Sequence, residues 1–424
     1  MGESETIRTA AVAAAPEIQA VSQEAMTAAR KRFILSLVCS SHTLNHIQSG
    51  VTSVLFPVMM KELGFGYLQL GILSAAHHFA AQGLQVIYGF LAAFMKRASI
   101  LGFGNILLGV SVLFHSLLGS YNQLLAARVV SSFGASAQNP MGSSILSGYF
   151  PKVRGQTLML HHTAGNVGSF LAPAIAAGLL LYMGWRQVFL VLGIPSILMG
   201  IGYFLLRDRV GAKTEGGKKR VQASWNAYVA CLKNRNILFT SFVLMAGAAG
   251  RGTGFSEAYL VAYFMDKFGV TATQAGFLLM VLEAAGVVGP LCIGWISDKV
   301  RNRALVMQTT LIMSAVTTVW LAYHQSIGVF LFVNLILYGT FVQARGTLTQ
   351  AMIGDFATEE MADAAFSLYY FIGFISGPIW TLLGGFIVDR YGFTQAFYVT
   401  ATSYLAGMIL LTFVKEKEGS RAGA

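Results

Sequence analysis

Charged residues are scarce in this sequence, and their scarcity argues against a soluble protein. Asp, Glu, Lys and Arg make up 11% of the 424 residues, whereas 55% of the residues are hydrophobic and the mean hydropathy is +0.62. Soluble domains typically carry about 25% charged residues, so these charges cannot cover a soluble surface of this size. The composition predicts an integral membrane protein. We therefore interpret the net charge of +11 through membrane topology rather than nucleic-acid binding.

Cysteine and proline are also rare, and two chemical signatures are missing. Cys39, Cys231 and Cys292 are far apart and form no C-x-x-C motif, so neither a disulfide framework nor a zinc site is expected. The 8 prolines against 46 glycines suit closely packed membrane helices. No G-x-x-x-x-G-K-[ST] phosphate-binding loop occurs, so ATP is not the direct energy source. Because no nucleophile–base–orienter set is visible either, we expect no enzyme activity and assign no cofactor and no resident metal.

Long apolar segments dominate what is present. A helix needs roughly 20 apolar residues to cross a membrane, whereas the strands of a membrane barrel have about ten, so the segment lengths favour helices. The sequence thus predicts an all-α membrane protein with twelve transmembrane helices, which we number as spans 1 to 12. The predicted spans are 33–60, 67–95, 99–118, 122–149, 155–183, 186–206, 237–264, 272–297, 303–323, 327–354, 362–388 and 393–414.

Lys and Arg lie mostly in one set of loops, which orients the chain. Cytoplasmic loops of membrane proteins carry the excess of these residues, so we place both termini in the cytoplasm and the protein in the inner (plasma) membrane. Loop 355–363 is placed on the cytoplasmic side although it carries acidic residues and no Lys or Arg, but negative residues count little in this rule. The basic set includes the central cluster Arg207, Arg209, Lys213, Lys218, Lys219, Arg220, Lys233 and Arg235, whereas the opposite loops hold only Lys61, Arg186, Lys267 and Arg390.

The chain divides into five regions. Six-helix bundles are expected at 33–206 and 237–415, the cytosolic tails are 1–32 and 416–424, and the linker 207–236 joins the bundles. The first tail has no cleavable signal peptide. The linker ends in an amphipathic helix at the cytosolic membrane surface, predicted from the helical spacing of Trp225, Tyr228, Val229 and Leu232.

The two bundles repeat each other in sequence. Gly148 corresponds to Gly354 and Pro173 to Pro378, with an offset of about 205 to 208 residues. The turn that begins at Gly184 corresponds in the same way to the turn at Gly392. A parallel repeat of this kind predicts two six-helix bundles related by a pseudo-two-fold axis along the membrane normal.

The loop between spans 8 and 9 carries a motif. It reads GWISDKVRNR and matches the pattern G-x-x-x-D-[RK]-x-G-[RK]-[RK] at Gly294, Asp298, Lys299 and Arg303, with Arg301 in place of the second glycine. Together with the twelve spans and the half-repeat, this motif makes the chain after residue 32 similar to the major facilitator superfamily. The resemblance implies secondary transport by alternating access and a gating role for the four matching residues.

Other stretches carry the resemblance with departures. The equivalent first-half loop has Ala93 where the motif has aspartate, so the usual ion pair of the cytosolic gate is not expected there. Span 4 is similar to the superfamily pattern R-x-x-x-G-x-G at Arg128 and Gly134. SHTLNHIQS in span 1 and GNVGSFLAP in span 5 are similar to the fosmidomycin-resistance-type branch of the superfamily.

Ionisable residues inside the second bundle are the first functional candidates, because a charge at membrane depth is costly unless it is paired or faces water. Arg251 and Glu257 lie in span 7 among glycines that allow the helix to unwind. Arg345, with Gln343 beside it, lies near mid-depth in span 10, and two arginines facing one cavity would form a fork-shaped anion site. Glu283 in span 8 is the natural partner of Arg251, and a purely structural salt bridge is the alternative.

Proton coupling is assigned to the carboxylates Glu283 and Glu257. A buried carboxylate prefers its neutral form when unpaired and its charged form beside an arginine. A carboxylate that alternates between these surroundings would carry a proton. Arg128 is assigned either to substrate contact or to helix stabilisation and gating.

Histidines are concentrated in the first half. His42 and His46 share one helix face in span 1, with Asn45 between them. A metal site, a proton relay, a pathway wall and a structural patch all fit this spacing. A metal site would need carboxylates or thiolates nearby, and the first-half spans offer only Cys39. We therefore interpret the three residues as a polar wall that hydrogen-bonds substrate, water or neighbouring helices.

The sequence therefore predicts a secondary active transporter that moves a small organic anion across the inner membrane with proton coupling. An antibiotic or drug efflux carrier, a transporter-like membrane sensor and a divalent metal transporter are the alternatives. The expected partners are a small-molecule substrate, protons and membrane lipid, with no nucleic acid, and we expect a monomer.

Overall fold

The computed structural model describes residues 28–92, 94–150, 153–206, 225–250, 255–300, 302–358 and 361–415. Within these ranges the regular secondary structure is helical. The helices are α1 (Ala28–Leu63), α2 (Tyr67–Gly83), α3 (Gln85–Leu91), α4 (Arg97–Phe114), α5 (Tyr121–Ser136), α6 (Gln138–Tyr149), α7 (Arg154–Leu180), α8 (Trp185–Phe204), α9 (Trp225–Lys233), α10 (Arg235–Ala246), α11 (Glu257–Phe268), α12 (Ala272–Val300), α13 (Arg303–Leu321), α14 (Val329–Phe356), α15 (Ala362–Tyr391) and α16 (Phe393–Leu411).

These helices form two bundles of six spans, which confirms the predicted fold. The first bundle contains α1 to α8 and the second contains α10 to α16. Spans 2, 4 and 7 are each divided into two helices, namely α2 with α3, α5 with α6 and α10 with α11. The sequence predicted each of these spans as one segment and suggested unwinding only at the glycines of span 7. The divisions of spans 2 and 4 were not predicted, because apolar length alone does not register an internal break.

Hydropathy alone finds only part of this architecture. In the described ranges, seven helices are long and apolar enough to cross a membrane by themselves. α1 is longer than any of these seven, but its polar residues lower its hydropathy, and the divided spans are too short in each piece. The twelve spans were predicted from the lengths of the apolar segments, which tolerate the glycines and lone polar residues that lower the hydropathy of a span.

Glycine brings α4 and α8 into backbone contact within the first bundle. A Cβ atom on Gly109 would lie 2.7 Å from the carbonyl oxygen of Gly193, and one on Gly193 would lie 2.8 Å from the carbonyl oxygen of Gly109. Gly102 and Gly200 form a second reciprocal pair, at 3.0 and 2.7 Å. Small residues at such crossings allow close packing where no hydrophobic effect drives helices together.

The two halves keep corresponding features in the fold. Pro173 lies inside α7 and Pro378 inside α15, which are the fifth spans of their bundles. Gly184 precedes α8 with φ −74°, whereas Gly392 precedes α16 with φ +87°. Only the second copy of this turn therefore uses the left-handed backbone conformation that glycine permits.

The linker helix α9 packs against the second bundle. The side chain of Cys231 is fully buried in a cluster with residues of α10, α14 and α15. Leu232, by contrast, is 49% exposed. Helical spacing had placed Leu232 on the apolar face, so the helix exists as predicted but its packed face also includes Cys231. Residues 207–224 of the linker lie outside the described ranges.

Glu62 ties the far ends of α1 and α8 together in the first bundle, where "far end" denotes the end of the molecule away from the termini. Its carboxylate accepts a hydrogen bond from Trp185 Nε1 at 2.5 Å and another from Arg186. The indole N–H and then the guanidinium hold the pKa of Glu62 below its usual range. These bonds offset the negative charge of Glu62, which is the one Asp or Glu residue between residues 33 and 206 of the sequence.

The glycine contact between α4 and α8 predicts a position-dependent response to an added methyl group. Gly193→Ala should destabilise the protein by about 1–3 kcal/mol, the usual cost of overpacking, because its Cβ would meet both Leu113 and the Gly109 backbone. Gly178→Ala in α7 is the matched control, since a Cβ there has no neighbour within 4 Å. Thermal unfolding in detergent should show a lower Tm for Gly193→Ala and an unchanged or higher Tm for Gly178→Ala. Equal Tm values for the two variants would contradict the close contact.

Candidate functional site

Span 7 is interrupted near its middle. α10 ends at Ala246, residues 247–250 form turns, and regular α-helix resumes at Glu257. The hydroxyl of Ser256 donates a hydrogen bond to the carbonyl oxygen of Gly250 at 2.6 Å, and that of Tyr338 donates to the same oxygen at 3.2 Å. Irregular backbone at membrane depth is tolerated only where its polar groups are satisfied by protein or face water. The interruption is therefore a built feature of the second bundle.

Arg345 lies beside this interruption. Its side chain is 2% exposed, and its guanidinium carbon lies 4.7 Å from the centre of the Tyr404 ring. A Cβ on Gly247 would overlap the Nη1 atom of Arg345, so the glycine makes room for the guanidinium. At 1.5 Å per residue, Arg345 lies about 24 Å along α14 from Val329 and about 16 Å from Phe356. Arg345 thus lies in the middle part of α14, and Tyr404 and Tyr338 are neighbours that the sequence did not suggest.

Two of the predicted side chains of span 7 cannot be placed. Arg251 lies outside the described ranges, and the side chain of Glu257 is likewise outside them, although the backbone of Glu257 begins α11. The pairing of Arg251 with Glu283 and the fork of Arg251 with Arg345 therefore stay predictions.

Glu283 and Gln343 lie where α12 crosses α14. A Cβ on Gly286 would lie 2.9 Å from Cγ of Gln343, so Gln343 packs directly on α12. Glu283 is half-buried and lies one turn before Gly286 on the same helix. Glu283 and Gln343, both predicted site residues, thus lie in the same part of the contact between α12 and α14.

In the first bundle, the polar residues of α1 bind neighbouring helices. His42 Nδ1 lies 2.8 Å from the main-chain oxygen of His161, and the amide of Asn45 donates to the oxygen of Ala135 at 3.1 Å. His46 Nδ1 lies 2.9 Å from the hydroxyl of Ser169. Contact with neighbouring helices was one of the roles predicted for these residues, and these bonds provide it.

His161 completes an imidazole cluster that sequence spacing missed. Its ring stacks on that of His42 with the centroids 4.0 Å apart, and the centroids of His42 and His46 are 4.8 Å apart. Neither ring nitrogen of His161 has a hydrogen-bond partner in the described part of the chain, and the side chain is fully buried. His161 lies in α7, so only the packing of α1 on α7 reveals it.

Arg128 lies within the first bundle. Its side chain is 5% exposed and donates to the hydroxyl of Thr52 at 3.3 Å, with the guanidinium 5.9 Å from the Phe56 ring centre. These contacts are with α1, whereas the neighbours described above for Arg345 belong to the second bundle. Each arginine is thus buried inside its own bundle.

The motif at the end of α12 and the start of α13 forms a charged cluster at the end of the molecule that carries the termini. Arg303 Nη1 lies 2.9 Å from a carboxylate oxygen of Asp298, and its Nε lies 2.6 Å from a carboxylate oxygen of Asp355. The ammonium of Lys299 lies 3.8 Å from the centre of the Trp295 ring. Gly294 has open space at its Cβ position. The cluster joins Asp298 and Arg303 as the motif suggested, and it adds Asp355 from the acidic loop.

Metal coordination finds no support in the placed side chains. Among the residues that the structure describes, no group of three or more His, Cys, Asp or Glu side chains is arranged to hold a metal ion. The histidine cluster has imidazoles only. The chemistry that these ranges offer is recognition of anionic and hydrogen-bonding groups by buried guanidinium and polar side chains.

Known proteins share both the sequence pattern and this fold. The probable L-galactonate transporter of Escherichia coli (strain K12) is 22% identical over 396 residues, which cover 88% of this chain and 86% of that protein. The fosmidomycin resistance protein of the same strain is 22% identical over 298 residues, which cover 69% and 71% of the two chains. The crystal structure of a bacterial homologue of the human lysosomal transporter Spinster, inward-facing and unoccupied, has a TM-score of 0.75 at 18% identity, covering 91% of this chain and 95% of that one.

The sequence profile of one family matches both bundles. It matches residues 38–260 and, in a second match, residues 252–424, so each bundle carries its own match. These matches confirm the resemblance inferred from the loop motif and the half-repeat. The chain belongs to the Major Facilitator Superfamily, and it is a multi-pass membrane transporter.

Proposed function

We propose that this protein is a proton-coupled secondary transporter that moves a small organic anion by alternating access between the two bundles. The termini are placed in the cytoplasm, in accordance with the distribution of Lys and Arg. The proposal assigns anion recognition to Arg345 and Arg251, with Gln343, Arg128 and the polar wall of span 1 as further substrate contacts.

The observation that carries the proposal is the interruption of span 7 beside Arg345. In secondary transporters, discontinuous helices near the bilayer midplane supply backbone groups to the substrate site. Here the interruption lies next to a buried guanidinium, which is always charged and presents a planar fork of donors that suits a carboxylate. An anionic substrate would be held by charge and by freed backbone groups together.

The relatives support an anionic substrate from a separate direction. The L-galactonate transporter is named for an organic anion, and its alignment covers most of both chains. The fosmidomycin resistance protein supports efflux of a drug as the second candidate. L-galactonate and fosmidomycin are therefore the first two probes for this protein.

Proton coupling is assigned to Glu283, with Glu257 as the second carboxylate. In the proposed cycle, the substrate anion competes with the Glu283 carboxylate for Arg251. When the anion occupies the arginine, Glu283 loses its counter-ion and takes up a proton, because an unpaired buried acid prefers its neutral form. The proton is released when Glu283 and Arg251 pair again on the other side of the membrane.

Counterflow of labelled L-galactonate in proteoliposomes tests the carrier function directly, since a sensor would show no exchange. Arg345→Gln should weaken binding of the anion by about 1.5–3 kcal/mol, the usual value for a hydrogen bond to a charged group. Arg186→Gln, which removes a guanidinium at the far end of the first bundle, should leave the affinity unchanged. An unaltered affinity in a folded Arg345→Gln protein would remove Arg345 from the anion site.

Gly247→Ala gives a subtler test of the same site. The added methyl group would overlap Arg345 Nη1, and a flexible side chain can move away at little cost to stability. We therefore expect a nearly unchanged Tm but a several-fold weaker binding of the anion probe. Gly346→Ala is the control, because it adds a methyl next to Arg345 in sequence where nothing lies within 4 Å. Equal affinities for the two variants would count against the proposed position of the guanidinium.

Glu283→Gln separates coupling from translocation. The variant should still exchange L-galactonate across the membrane, but a pH gradient should no longer drive uphill uptake, because the amide cannot carry the proton. His42→Gln and His46→Gln are the rival variants. If Glu283→Gln keeps pH-driven uptake while either histidine variant loses it, the coupling site lies in span 1 and the assignment to Glu283 is wrong.

A further inference from the structure

The N-terminus of α2 is capped by a side chain from the other bundle. The main-chain N–H of Tyr67 donates to Asp389 Oδ1 at 2.9 Å, and that of Leu68 donates to Asp389 Oδ2 at 2.7 Å. Tyr67 and Leu68 are the first two residues of α2 in the first bundle, whereas Asp389 lies in the last turn of α15 in the second bundle. One carboxylate therefore satisfies two of the free amide groups that begin every helix.

The sequence of α2 leaves room for this external cap. The residue before the helix is Gly66, which has no side chain that could cap the helix from within its own bundle. The N–H of Gly66 itself donates to Oε1 of Gln69 at 3.0 Å, so it does not need Asp389. A Cβ on Gly66 would lie 3.3 Å from Asp389 Oδ2, so the carboxylate lies against the position where an ordinary cap would be.

Further contacts between the bundles lie at the same end. The hydroxyl of Tyr67 donates to the carboxylate of Asp266 at the end of α11. The hydroxyl of Tyr259 donates to the main-chain oxygen of Thr381 at 2.7 Å and lies 3.4 Å from that of Tyr67. Tyr67 and Leu68 thus make four hydrogen bonds that cross between the bundles at this end.

At the end of the molecule that carries the termini, the charged contacts have a different arrangement. Arg303 joins Asp298 and Asp355, and all three belong to the second bundle. In sequence, the first-bundle loop that corresponds to this motif has Ala93 in place of the aspartate. The described ion pairs of Arg303 at this end thus lie within one bundle, whereas the carboxylates of Asp389 and Asp266 at the far end accept hydrogen bonds from the other bundle.

We propose that Asp389 is the latch of the far-end gate. Its carboxylate caps α2 only while the bundles are closed at that end, so opening leaves two amide groups and a carboxylate to be hydrated separately. Because opening the far end breaks this cap, the state that is open at the far end is the less populated one at rest. The proposal rests on the proposed alternating access, and it adds which contact sets the balance between the two states.

Distances between spin labels at the far end measure this balance without a substrate. The labels are placed at Tyr182→Cys after α7 and Gln325→Cys between α13 and α14, which are exposed and lie one in each bundle. Cys39, Cys231 and Cys292 are first replaced by serine. Double electron–electron resonance on the purified protein then gives the ratio of the long to the short distance.

The unaltered sequence should show mainly the short distance. Asp389→Ala should raise the ratio of long to short distances about fivefold, which corresponds to the loss of a helix cap worth about 1 kcal/mol. Gly66→Asp should act in the same direction from the other bundle, because it gives α2 its own cap and places a like charge beside Asp389. This second variant keeps the test decisive if Asp389→Ala does not fold. Glu62→Ala is the matched control, because it removes a far-end carboxylate that bonds to Trp185 and Arg186 of its own bundle, and it should leave the ratio unchanged.

An unchanged ratio in both Asp389→Ala and Gly66→Asp would overturn the latch. If L-galactonate counterflow persists in these variants, the carrier function stands and only the latch fails. If counterflow is also absent from the unaltered protein and one distance persists under all conditions, the proposed function fails together with the latch.

Discussion

Backbone amides and carbonyls at membrane depth must find partners inside the protein, and the architecture depends on this constraint. Continuous helices satisfy it along most of the chain. At the interruption of span 7, the hydroxyls of Ser256 and Tyr338 take over by bonding to the carbonyl oxygen of Gly250. At the start of α2, two main-chain amide groups donate hydrogen bonds to the carboxylate of Asp389, which belongs to the other bundle. The places where the helix cannot satisfy itself are thus the places with candidate function.

Much of the fold could be predicted from the sequence, because apolar length and the half-repeat report directly on spans and bundles. The internal breaks could not be predicted in the same way. Ala137 separates α5 from α6, and Pro140, which has no N–H to donate, lies in the first turn of α6; the prediction of span 4 from apolar length took no account of it. The glycines of span 7 did suggest unwinding, and α10 does end immediately before Gly247. Glycine and proline therefore mark breaks that the apolar length of a span does not reveal.

The candidate site was predictable residue by residue but not as a set of neighbours. Arg345 is identified by its charge in an apolar span, and the structure does bury it. Tyr404, which faces its guanidinium, lies almost 60 residues further along the chain and has an ordinary aromatic residue's signature. His161 is likewise distant from His42 and stacks on it only because α1 and α7 pack together. Single-sequence reasoning finds costly residues, whereas tertiary packing decides which of them meet.

The reciprocal glycines of α4 and α8 have a mechanical consequence. Backbone atoms of the two helices touch at Gly109 with Gly193 and again two turns away at Gly102 with Gly200. A helix pair with such contacts cannot slide or rotate without steric overlap, since no side chain is available to change rotamer there. The two helices therefore form one rigid unit within the first bundle. In the proposed alternating access, bending and rotation would therefore fall to other helices, and the divided spans 2, 4 and 7 are the candidate joints.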